Sequence, residues 1–81
     1  MTAITLDHIT RKLEELKQEM DAGNLQHGEY DQRLARLINE LRDRKIDADR
    51  AEITSALDDL QGRGVITASV NEHLKTRLGL R

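Results

Sequence analysis

The sequence predicts an all-α protein of four short helices arranged as two helical hairpins, and three observations carry that expectation. Apolar residues recur at spacings of three and four along most of the chain, as one face of a helix requires. There is no proline. The five glycines fall at positions 23, 28, 62, 64 and 79, where they cut the chain into helix-length pieces.

In the first helix Leu6, Ile9, Leu13, Leu16 and Met20 form a narrow apolar seam, with Arg11, Lys12, Glu14, Glu15, Lys17 and Glu19 on the solvated faces. Thr5 or Asp7 can cap its N-terminus. Gly23 is the natural stop, since the residue after a helix C-cap often adopts the left-handed conformation. Leu25 is expected to fold under the hairpin and plug the space between its helices. The second helix carries Tyr30, Leu34, Leu37, Ile38 and Leu41.

Nothing between Gly28 and Gly62 forces a break, so helices two and three can be continuous. The alternative is a break near residues 45 to 49. The seam fails where Lys45 and Glu52 replace apolar residues, Asp47 and Asp49 are good N-caps, and Asp49 with Glu52 resembles a capping box. The third helix then carries Ile53, Ala56, Leu57 and Leu60 and ends at Gly62 and Gly64, with Val65 and Ile66 plugging the turn. Ser69 with Glu72 offers a further capping box for a fourth helix bearing Val70, Leu74 and Leu78, which closes at Gly79. The expected organisation is one domain over 1–81, with hairpin one at about 5–44 and hairpin two at about 49–79.

Aligning Gly23 with Gly64 places Leu16 on Leu57 and Leu25 on Ile66. After one deletion in the second turn, Tyr30, Leu34 and Ile38 fall on Val70, Leu74 and Leu78. The pattern reads as an internal repeat of a helical hairpin.

Within the first copy, Leu13, Leu16, Met20, Gly23, Leu25, Glu29, Tyr30, Leu34, Leu37 and Ile38 follow a leucine-rich helix, a glycine, an apolar residue shortly after it, and an acidic–aromatic pair opening a second helix. This run, residues 13–38, resembles the SHOCT family, the bacterial short C-terminal domain, and a degenerate second copy would occupy 53–80. Gln26 stands where the family's second helix has a capping Thr, and Thr67 fills the equivalent place in the second half. The resemblance implies an oligomerisation or protein-interaction module without known catalysis.

Composition bounds the function. A chain of 81 residues with a single aromatic residue, Tyr30, must build its core from Leu and Ile, so a lone copy is expected to be marginally stable. That favours a homo-oligomer, a dimer in the simplest case, or ordering on a protein partner. With no cysteine there is no disulfide, thiol nucleophile or thiolate metal site. The N-terminus lacks a basic region followed by an apolar run, and no apolar stretch is long enough to span a membrane, so a soluble cytoplasmic protein is expected.

Signals for chemistry are weak. His8, His27 and His73 lie in different elements without accompanying ligands. The carboxylate pairs Glu14–Glu15, Asp58–Asp59 and Asp47 with Asp49 fall on polar faces or in linkers, and the glycines at 62 and 64 mark a helix stop rather than a phosphate loop. Neither an enzyme nor a bound cofactor or metal is expected.

The expected function is a small non-enzymatic interaction module. Its protein-interface residues would be Leu13, Leu16, Met20, Leu25, Tyr30, Leu34, Leu37 and Leu41. The stripe they share reads first as ordinary core, with helices one and two antiparallel and the second hairpin covering them; the sharper reading leaves Leu6, Ile9 and Leu13, on its more open end, exposed until a partner arrives. A second possibility is a nucleic-acid-directed regulator. It would use Arg33, Arg36, Arg42, Arg44, Lys45 and Arg50 as a basic ridge on helix two, although Glu40, Asp43, Asp47 and Asp49 are interleaved with it. The segment from Ile53 to Gly79 resembles a helix-turn-helix only loosely, with Asn71, Lys75, Thr76 and Arg77 to offer bases. Size alone allows a third possibility, a phage-type inhibitor that occupies a host protein. The net charge of −2 argues against a strongly basic nucleic-acid binder.

Overall fold

Ile4, just ahead of the first helix, is buried and joins the N-terminal segment to the middle of the chain. In the computed structural model, which describes residues 3–44 and 46–80, its carbonyl accepts the Asp47 N–H at 2.6 Å, and Ile4 and Ile46 form an isolated parallel bridge. The N-terminal segment is thereby pinned to the linker between the second and third helices. The elements are α1 (Leu6–Asp21), α2 (Glu29–Asp43), α3 (Arg50–Gly62) and α4 (Ala68–Arg77), and the protein is all-α. α1 packs on both α2 and α3, and α4 packs on α3.

The helix ends follow local chemistry. The side chain of Thr5, rather than Asp7, caps α1 by accepting from the His8 N–H at 3.2 Å. α1, α3 and α4 all stop in the same way. Gly23, Gly64 and Gly79 have φ of 76°, 78° and 74°, and the two N–H groups at and after each glycine return to carbonyls of the preceding turn. α2 and α3 are separate: Arg44 is extended, and Asp49 Oδ1 accepts from the Glu52 N–H at 2.7 Å to open α3. A continuous helix would have turned Lys45 and Glu52 toward the seam, so the chain breaks where its apolar pattern breaks.

The last helix departs from expectation at its cap. Thr67, not Ser69, accepts from the Val70 N–H at 3.2 Å, and Ser69 lies exposed in the first turn of α4. The first turn between helices has no such hydroxyl. Gln26 occupies the place matching Thr67, and α2 instead begins beyond Gly28, which is left-handed at φ 81°. The Glu29 carboxylate accepts from the Gln26 N–H at 2.9 Å, so the cap is closed from inside the helix.

Among the described residues thirteen apolar side chains are buried together, drawn from every helix as well as Ile4 and Ile66. Leu74 is wholly inaccessible, although α4 is the shortest helix. The radius of gyration of 12.2 Å is close to the roughly 12 Å of a compact chain of this length. One copy therefore closes its own core.

Candidate interaction groove

The apolar stripe is mostly ordinary core, the first of the two readings the sequence offers, rather than surface held open for a neighbour. Leu13, Leu16, Leu34, Leu37 and Leu41 are buried core, and so is Ile9, while Leu6 is half-buried. The second pair of helices supplies the reason: α3 covers α1, and Leu57, Leu60 and Ile53 meet the stripe that the first pair cannot hide. The expectation that Leu6, Ile9 and Leu13 form an open end is corrected accordingly. Three of the eight candidates keep accessible surface, all at the turn between α1 and α2. Leu25 and Tyr30 are half-buried against the core, and Met20 is 44% exposed. Burial, with the adjacent Asp31 carboxylate, raises the Tyr30 phenol above its ordinary value.

The basic ridge divides between two grooves. Arg33 and Arg36 line a cleft of about 340 Å³ between α1 and α2, where Glu15, Glu19, Glu29 and Glu40 also project. Arg33 Nη2 lies 2.9 Å from Glu29 Oε2, and Arg33 also pairs with Glu19 across the two helices. This cleft is electrostatically closed on itself. His8 Nε2 stands 3.0 Å from Glu40 Oε1, adding a contact between the start of α1 and the end of α2.

The second groove, of about 640 Å³, is different in kind. It is open and lies where the end of α2, the linker, the start of α3 and the end of α4 meet. Its floor is apolar: Leu41 and Ile53 lie deepest, and Ile46, Ala48, Leu78 and Leu80 are half-buried above them. Its charged lining consists of four arginines, Arg42, Arg44, Arg50 and Arg77, with no carboxylate among the described lining residues. Arg44 reaches Glu40 at 3.9 Å, and Arg50 donates to the Gly79 carbonyl, tying α3 to the chain after α4. Arg42 and Arg77 are exposed and make no ion pair among the described residues. Lys45, the remaining member of the expected ridge, lies outside the described residues.

Sequence reading missed Arg77 as a partner of Arg42. The two are distant in sequence, and only the packing of α4 on α3 brings them to one rim. A local signal did exist, because each stands in the last turn of its helix, where a cation offsets the negative end of the helix dipole.

Among the described residues no group of three or more His, Asp or Glu side chains gathers in a way that could hold a metal ion. No described helix is long and apolar enough to cross a membrane. Comparison with protein-family models, with curated proteins and with solved structures finds no match to the chain.

Proposed function

We propose that this chain is a small non-enzymatic protein-interaction module, acting as an adaptor or regulator, and that the arginine-rimmed groove is its docking surface. One observation carries the reading: a core otherwise closed within a single chain leaves a groove with an apolar floor and a rim on which Arg42 and Arg77 make no ion pair among the described residues. Such a surface offers buried apolar area for affinity and charge for orientation and partner choice. The resemblance of residues 13–38 to a short bacterial interaction domain agrees with this reading, and a cytoplasmic setting is proposed with it.

The test is site-specific photo-crosslinking from Ala48, a half-buried residue of the groove floor, in the native cells. A discrete adduct with one protein is expected, and it should vanish when the crosslinker is moved to exposed Glu72 on α4. Crosslinking that is diffuse, or identical from both positions, would remove the groove from consideration.

Self-association is a second proposal, and it draws on a separate place. Among the described residues Met20, in the last turn of α1, is the large apolar side chain left exposed, and Leu25 and Tyr30, half-buried, follow it in the connection to α2 and its first turn. Light scattering over a range of concentrations should show a mass that falls toward the monomer on dilution, and Met20→Glu should abolish that dependence. A constant monomer mass would dispose of the dimer without touching the groove.

A further inference from the structure

We infer, building on the groove proposed above, that its occupant is an acidic amphipathic segment of a partner protein. Its apolar side chains would lie on Ile46, Ala48, Leu78 and Leu80, and its carboxylates would meet Arg42 and Arg77. The charge distribution is the first argument. The chain as a whole carries −2, yet this groove gathers four arginines and no described lining carboxylate. Asp43, Asp47 and Asp49 belong to the same stretch of chain but do not line it. Positive charge concentrated locally against the sign of the whole molecule suits a short anionic ligand better than a long polyanion.

The floor is the second argument. A sugar–phosphate backbone has no use for an aliphatic surface, and binding of unpaired bases relies on aromatic platforms. The only aromatic residue, Tyr30, stands at the opposite turn, outside this groove. The openness of the groove is the third. Small-molecule sites enclose most of their ligand, whereas a shallow apolar trough with a charged rim is how a helix face or short extended segment is held.

Arg42 and Arg77 also have a purely structural role, since each closes the last turn of a helix. That role predicts a small change in melting temperature on substitution and no binding phenotype, so binding separates the two.

The experiment measures fluorescence anisotropy with the full chain and a labelled peptide of about fifteen residues, leucines at helical spacing and glutamates between them. The same residues in scrambled order and a single-stranded oligonucleotide of similar length serve as comparisons. The patterned peptide should bind, more weakly as salt is raised. Arg42→Gln combined with Arg77→Gln should weaken it by roughly tenfold or more while circular dichroism stays unchanged. Ala48→Glu, which leaves every arginine in place, should weaken it as well. The inference is overturned if the scrambled peptide binds equally, if the oligonucleotide binds in preference, if the variants bind like the parent, or if the patterned peptide does not bind. A discrete adduct from Ala48 alongside any of these results leaves the docking groove standing with a different occupant, and loss of the adduct removes both.

Discussion

The side-chain nitrogen of Asn71 on α4 lies 3.0 Å from Asp58 Oδ1 on α3. The same nitrogen donates to Gln61 Oε1 at 2.6 Å, and Lys75 Nζ reaches Asp58 Oδ1 at 2.7 Å. Asn71 is only 2% exposed, and its Oδ1 has no partner among the described residues. A buried amide has thus been oriented by its donors, and α4 is keyed to α3 at one register.

Asn71→Asp should be the more harmful of two substitutions here. It puts a buried carboxylate against Asp58 and Gln61 Oε1, at a cost of about 3 kcal/mol or more at neutral pH. That carboxyl would be easier to protonate folded than to keep charged, so the variant should recover stability as the pH is lowered. Asn71→Leu removes the donor together with the unpartnered oxygen, and should stay within about 1 kcal/mol of the parent. Urea melts at two pH values check both statements.

Leu16→Asp should unfold the chain rather than merely separate subunits, because Leu16 is buried within one copy. Leu57→Ala and Leu74→Ala, at positions with essentially no accessible surface, should each cost about 2–5 kcal/mol. Far-ultraviolet circular dichroism at high and low protein concentration distinguishes the outcomes. Loss of helix at both concentrations is expected, and a folded Leu16→Asp monomer would contradict the buried position.

Gly62 and Gly64 are two residues apart and should respond oppositely to alanine. Gly62 is helical with open space where a Cβ would stand, so Gly62→Ala should stabilise by about 0.5–1 kcal/mol. Gly64 also has room for a Cβ, but its φ of 78° belongs to the left-handed region, so Gly64→Ala should destabilise by about 1 kcal/mol. Thermal melts of the two variants make a direct comparison.

The Glu29 carboxylate sits below its ordinary range, first because it accepts the Gln26 N–H and then because of Arg33. A depressed carboxylate pKa contributes stability above the ordinary Glu value, and that contribution is lost as the pH falls through the depressed one. Glu29→Gln should therefore melt below the parent at neutral pH and match it in strong acid. A gap that stays constant across that range would show that the cap, not the charge, accounts for the difference.

The helices themselves were legible in the residues. Seams at spacings of three and four, the glycines at 23, 64 and 79, and Asp49 with Glu52 report backbone preferences that act over a few residues, and the structure places helices and stops there. Position 67 was harder. Thr67 and Ser69 carry the same capping chemistry, so the Ser69–Glu72 pattern points two residues too far along, and the cap the structure shows is Thr67, the place matched to the capping Thr of the resembled family.

The sequence by itself determined where the chain is helical, that its core is aliphatic, and that its charges are nearly balanced. Tertiary structure alone decided which faces remain for a partner. An apolar stripe has the same pattern whether its cover comes from a second molecule or from the chain's own later helices, because the hydrophobic effect is indifferent to the source of the covering area. Here α3 supplies the cover, Ile4 holds the linker in place, and α4 carries Arg77 to the rim where Arg42 stands. Contacts between residues so far apart leave no local periodicity to read.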